Sequence, residues 1–255
     1  MHPARVWQVL LGVMLAVSPV VAADSVGAVG GVAAIGPVAE QPARACPNGY
    51  VALTFDDGPD AVTTPALVDE LRRHGSRATF FVIGAKAAAA PEVVVLVRSE
   101  GMAVGNHTYD HPFLDELSEQ AVTDELTRTS AILDGIGGPA PTLFRPPYGR
   151  RNAVVERVVR RLGLTEVLWS YDSDDYEEAS VEQMVRQAEK ATDGEVLLFH
   201  DGYRSTVDAV PQILDVFDRR GLCAGQVLPS ATPQQAWLDY DGDDKTYYPA
   251  VAGPW

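Results

Sequence analysis

Between residues 50 and 227, short apolar runs alternate with longer stretches whose apolar positions recur every three or four residues. Runs such as Tyr50-Val51-Ala52-Leu53-Thr54-Phe55 and Glu195-Val196-Leu197-Leu198-Phe199 are too short for helices and read as buried strands. This pattern predicts strands over 50–55, 78–83, 102–106, 142–145, 166–171, 195–199 and 222–227. It predicts helices over 63–74, 86–100, 118–135, 151–162, 180–191 and 206–220. Several helix ends carry signals. Ser180-Val181-Glu182-Gln183 has the form of a capping box, and Arg72-Arg73-His74-Gly75 and Arg219-Arg220-Gly221 place cations and then glycine at a C-terminus. The alternation implies an α/β fold with a mostly parallel sheet and helices outside it. An open doubly wound sheet and a closed β/α barrel both fit. The first strand is not followed by G-x-G-x-x-G, which argues against dinucleotide binding.

The pattern is absent at both ends. Arg5, an apolar run over 6–17 and Val21-Ala22-Ala23 read as a secretory signal peptide over 1–23. Residues 24–45 read as a flexible leader, 46–228 as the folded domain and 229–255 as an irregular tail, with "DYDGDDK" solvated. The apolar run falls short of the ~20 residues of a membrane span, so a secreted monomer without a stable span after cleavage is expected. Lys and Arg number 20 against 35 Asp and Glu, a formal charge of -15. Basic residues cluster only in pairs, which excludes nucleic acid as a natural partner and favours a neutral polymer.

Chemistry-bearing residues gather where strands end. Asp56 and Asp57 follow the first strand, His107 and His111 the third, Arg145 the fourth, Asp172 and Asp175 the fifth, and His200 and Asp201 the sixth. In a β/α barrel the C-terminal strand ends carry the active site. Two acids before Gly58-Pro59 would by themselves be an ordinary turn. His107 and His111 are four apart, so on one helical turn they would share a face and could bind one metal ion. Asp57 is the natural third ligand. Neighbouring side chains on an extended chain point apart, so Asp57 would face the metal while Asp56 takes a proton from water. His74, at a helix end beside Arg72 and Arg73, reads as a surface residue.

The chain resembles the polysaccharide deacetylases of carbohydrate esterase family four, which share the nodulation-protein-B homology domain. The resemblance rests on five motifs in order: "TFDDGP" (54–59), "HTYDH" (107–111), "RPPYG" (145–149), "DSDDY" (172–176) and "LLFHD" (197–201). In wording the chain is closest to secreted bacterial acetylxylan esterases and chitin deacetylases. The resemblance implies a distorted (β/α) barrel with about seven parallel strands. It implies a divalent metal on Asp57, His107 and His111, with Zn²⁺ favoured and Co²⁺ or Mn²⁺ as alternatives. Asp56 would be the general base, positioned by Arg145, and His200 the general acid, tuned by Asp175. The Tyr148 backbone N–H would meet the oxyanion, and Leu198 and Tyr176 would wall the acetyl pocket. The fourth motif usually ends in Trp; Tyr176 departs from it and bears on substrate preference.

The implied activity is hydrolytic removal of acetate from an N-acetylglucosamine polymer such as chitin, by a water activated at the metal. O-acetyl esterase action on acetylxylan is the alternative. A two-carboxylate glycosidase and a non-catalytic carbohydrate-binding protein are the rivals. Cys46 lies just before the first strand and Cys223 in the last. A closed barrel brings these strands together, so a Cys46–Cys223 disulfide is expected.

Overall fold

The computed structural model describes residues 45–227 and 251–252. The expected signal peptide, the leader up to residue 44 and all of the expected tail except Val251 and Ala252 lie outside the described residues. In chain order the elements are β1 (Tyr50–Gly58), α1 (Thr63–Arg73), β2 (Thr79–Val82), α2 (Gly84–Ala89), α3 (Pro91–Ser99), β3 (Ala103–Asn106), α4 (Glu119–Gly135), β4 (Leu143–Phe144), α5 (Ala153–Arg161) and β5 (Thr165–Glu166). There follow β6 (Tyr171–Asp172), α6 (Val181–Ala188), β7 (Val196–His200), α7 (Arg204–Arg219), β8 (Cys223–Val227) and β9 (Val251–Ala252). The strand path is β5-β4-β3-β2-β1-β7-β6, every pairing parallel. With the helices outside, this is a distorted (β/α) barrel.

Two expected elements break. The strand over 166–171 does not form as one piece: Glu166 pairs with β4, whereas Tyr171 pairs with β7. The chain must change partners at Leu168 and Trp169, because β4 and β7 lie on different parts of the strand path. The freed carbonyls of Val167 and Leu168 accept from the Arg145 guanidinium at 3.1 and 2.9 Å. The helix over 86–100 divides at Pro91, which lacks the N–H a continuous helix needs and instead opens α3.

Strand alternation sorts β1. Val51, Leu53 and Phe55 join the cluster that holds Leu67 and Leu71 of α1 and Ile213 and Phe217 of α7. Ala52 joins a second cluster with Phe81, Leu143, Val167 and Val196, the barrel interior. Thr54 and Asp56 continue the Ala52 face. Phe55 stands in register with both Phe80 and Phe199, and the ring centroids are 5.0 and 5.8 Å apart. Each such buried ring contributes roughly 1.5–3 kcal/mol.

β8 pairs with the start of β1, Tyr50 opposite Cys223, on the edge that β2 occupies further along. Cys46 and Cys223 are joined by a disulfide, Cα atoms 5.5 Å apart and 177 residues distant in sequence. A loop of that length corresponds to at most ~5 kcal/mol by chain entropy. Among the described residues no helix is long and apolar enough to cross a membrane.

Candidate active site

Asp56 sits on the interior face of β1, directly opposite His200 of β7 in the parallel register. Its carboxylate Oδ1 accepts from Arg145 Nη1 at 2.8 Å. The same nitrogen donates to Thr54 Oγ1 at 2.7 Å, two residues back on the same face. Arg145 is fully buried, with its guanidinium carbon 4.3 Å from the Phe81 ring centroid and 5.5 Å from that of Trp169. A buried cation so enclosed fixes one carboxylate in one orientation.

Asp57 departs from the strand. Its φ is 68°, and the β1–β2 register slips between Asp56 and Gly58. This bulge changes the expected geometry: the two acids do not point apart. Asp56 Oδ2 lies 3.7 Å and Asp57 Oδ1 3.4 Å from the same atom, His107 Nε2. A bulge re-aims a side chain in this way because one residue loses its place in the pleat. Lys86 Nζ donates to the Asp57 carbonyl at 2.7 Å and holds the bulge from α2.

His107 and His111 do come together, but not on a helical turn. Thr108 and His111 have φ of 65° and 61°, and the chain curls as an irregular loop. Side chains stabilise the curl. Asn106 Oδ1 accepts from Thr108 N, Thr108 Oγ1 from His111 N, and Glu125 Oε2 from both Tyr109 N and Asp110 N. The two Nε2 atoms end 3.2 Å apart, and His111 Nε2 is 3.1 Å from Asp57 Oδ1.

These donors fit a cation. His107 Nδ1–H donates to the Arg145 carbonyl at 2.8 Å, so its Nε2 carries a lone pair. His111 Nδ1 contacts the Tyr148 hydroxyl at 3.1 Å. Asp57 Oδ1 is buried and receives no hydrogen bond among the described residues. Burial pushes the Asp57 carboxyl up, but the neighbouring His107 and His111 rings outweigh it and hold it well below the usual carboxylate range. Among the described residues, only these three gather as a potential metal site. His74 lies elsewhere, at the end of α1, with Nδ1 3.1 Å from the Glu70 carbonyl.

On the other side of β1, Asp175 uses both oxygens. Oδ1 meets His200 Nδ1 at 2.7 Å, while Oδ2 accepts from His200 N and Thr206 Oγ1, each at 2.7 Å. Burial lowers the His200 pKa, yet Asp175 and the charges of Asp56 and Asp57 outweigh it, so the net displacement is upward. Leu198, two residues before His200, is buried on the same face of β7. Tyr176 stands edge-on to His200, centroids 5.1 Å apart and 45% exposed. Tyr148, at φ 59°, leans on His111 with centroids 4.6 Å apart.

Thr54, Thr206 and Trp169 support the site without having been expected there, and Asp201, expected at a strand end without a role, gains one. Thr54 was legible, being i−2 to Asp56 on one strand face. Thr206 and Trp169 act across the fold and leave no local signature. Asp201 is buried, and its N–H donates to the Asp56 carbonyl at 2.7 Å. The Thr63 and Thr64 hydroxyls donate to its carboxylate, which burial pushes up to about 6 against those bonds.

A family model described as polysaccharide deacetylase matches residues 43–167. The chain is 39% identical over 185 residues to a bifunctional xylanase/xylan deacetylase of Cellvibrio japonicus, covering 72% of this chain and 28% of that protein. It is 37% identical over 152 residues to a chitooligosaccharide deacetylase of Azorhizobium caulinodans, covering 59% of this chain and 72% of that one. Among solved structures, a family 4 carbohydrate esterase from Streptomyces lividans in complex with acetate shares 39% identity at a TM-score of 0.70, covering 80% of this chain and 98% of that one. The chain spans 28%, 36% and 38% of the length of three curated relatives it matches.

Proposed function

The chain belongs to the polysaccharide deacetylase family, and we propose that it hydrolyses acetyl groups from an N-acetylglucosamine polymer such as chitin. Acetylxylan is the second substrate, because relatives are named for xylan as well as chitooligosaccharide and both acetyl groups pass through the same tetrahedral arrangement. The observation that carries the reading is the pairing of Asp56 with His200 across β1 and β7, beside the Asp57–His107–His111 cluster. A proton acceptor and a proton donor on neighbouring strands beside that cluster are what the reaction needs.

Asp57 Oδ1, His107 Nε2 and His111 Nε2 would hold the metal, Zn²⁺ by the nitrogen and oxygen character of the set. When bound, such an ion polarises a carbonyl and acidifies water. Asp56, oriented by Arg145, takes the proton of the attacking water while its oxygen adds to the acetyl carbon. The Tyr148 N–H is assigned to the acetyl oxygen, where negative charge develops. The C–N or C–O bond then breaks as His200 gives its Nε2 proton to the leaving atom. Asp175 keeps the His200 Nδ1–H in place. Leu198 and Tyr176 bound the acetyl methyl. A two-carboxylate glycosidase is disfavoured, since it needs one of its carboxyls protonated as the acid, whereas Asp56 pairs with the Arg145 cation and both Asp175 oxygens accept hydrogen bonds. Export fits the Cys46–Cys223 disulfide.

Acetate release from chitin oligomers, acetylxylan and peptidoglycan glycan, measured side by side, tests the reading. Release from the first or second is expected; release from none would refute it. The donor role of His200 has a pH signature. Its raised pKa keeps the ring protonated to higher pH, so kcat falls as pH rises through that value. Asp175→Asn removes the partner charge, and the basic limb of the kcat profile is expected to move to lower pH. An unmoved limb would take the proton transfer away from His200.

A further inference from the structure

Four aromatic rings stand partly in solvent around the candidate site, and the chemistry above leaves Phe113 and Tyr203 without a role. Phe113 (41% exposed) and Tyr148 (57%) lie beyond the ends of β3 and β4. Tyr176 (45%) and Tyr203 (41%) lie beyond β6 and β7. In the strand order these pairs fall on opposite sides of β1, which carries Asp56 and Asp57. Each pair abuts the reacting groups. Phe113 and Tyr148 centroids are 4.4 Å apart and Tyr148 reaches His111, while Tyr203 and Tyr176 lie 6.3 and 5.1 Å from His200.

Phe113 is held in place although it faces water. The Arg150 guanidinium carbon is 4.4 Å from its ring centroid, and Arg150 is pinned by Asp115 and Glu116 at 2.9 Å each. Leaving a phenyl ring exposed forgoes burial, and fixing it as well implies a ligand for its surface. Imidazoles and carboxylates separate the two pairs, so they form no continuous apolar patch of the kind a protein partner covers. They offer discrete flat surfaces, which suit the C–H faces of pyranose rings. The two carboxylates neutralise Arg150, so the cation beside Phe113 is not left free for an anionic ligand.

We propose that Phe113–Tyr148 and Tyr176–Tyr203 are two stacking platforms for the sugar rings of one neutral glycan strand lying across β1. The acetylated unit is then an internal one, with a neighbour on each side, and single sugars are poor ligands. This rests on the deacetylase reading and narrows its substrate to neutral chains of three or more units.

The test is calorimetric titration of chitotetraose and, separately, xylotetraose into full-length protein carrying Asp56→Asn, which prevents turnover. The tetramer of at least one series is expected to bind about tenfold or more tighter than its monosaccharide, the gain of stacking further rings. Phe113→Ala and Tyr203→Ala in that background should each weaken the tetramer by roughly 3–10-fold. Phe113→Leu should weaken it likewise, since volume without a flat face is not enough, and Phe113→Tyr should retain it. Equal affinity for monomer and tetramer, or a tetramer affinity unmoved by both alanine variants, overturns the platforms. Tetramer binding that depends on both rings, with no acetate release from any glycan by the unmodified protein, would uphold the platforms and refute the deacetylase reading alone.

Discussion

Asp56→Asn is expected to lower kcat for acetate release by about 10²–10⁴-fold, the range for a lost general base. The substitution is nearly isosteric, and the amide oxygen can still accept from Arg145 Nη1, so the buried guanidinium keeps its partner. What Asn cannot do is take a proton. Metal content should therefore stay near that of the unmodified protein while turnover collapses. Asp57→Asn is expected to behave in the opposite way, because Asp57 Oδ1 faces two imidazole nitrogens at 3.4 and 3.1 Å and no hydrogen-bond donor among the described residues satisfies it. Its main effect should be weaker metal retention, with partial recovery of turnover at high metal concentration. Steady-state kinetics and metal analysis on the same preparations separate the two. Exchanged phenotypes would reverse the assignment of the adjacent acids.

The sequence carried this site further than it carried the backbone that builds it. Alternation along β1 already places Thr54 and Asp56 on one face, and the structure joins both to Arg145. The four-residue spacing of His107 and His111 correctly pairs them, though for the wrong reason. Periodicity knows nothing of the left-handed conformations at Thr108 and His111, which depend on Asn106 and on Glu125 of the later α4. A similar blindness explains why Asp56 and Asp57 were expected on opposite faces although both turn to His107, since strand alternation cannot anticipate a bulge. The run Val167-Leu168-Trp169 looks like a strand because apolar content is local, whereas the change of partner from β4 to β7 is a property of barrel closure. Pro91 is different: the break it causes follows a local rule that the apolar periodicity over 86–100 masks. Thr206 holds Asp175 from 31 residues away, a contact with no trace in either segment. The disulfide was legible because only two cysteines exist and the fold class already joined the first and last strands.

Asp57, His107 and His111 are proposed to hold a metal ion on which deacetylation depends. Each contributes one atom, and removal of one leaves a two-ligand set, too few for the three protein ligands usual in catalytic zinc sites. Chelation should abolish acetate release, and Zn²⁺, or Co²⁺ or Mn²⁺ in its place, should restore it. His107→Ala should resist restoration. The most direct measurement is metal content and acetate release on one preparation before stripping, after stripping and after adding Zn²⁺ back. About one ion per chain is expected, with no acetate release after its removal and recovery once it is returned. Full turnover by protein shown to be metal-free would contradict it.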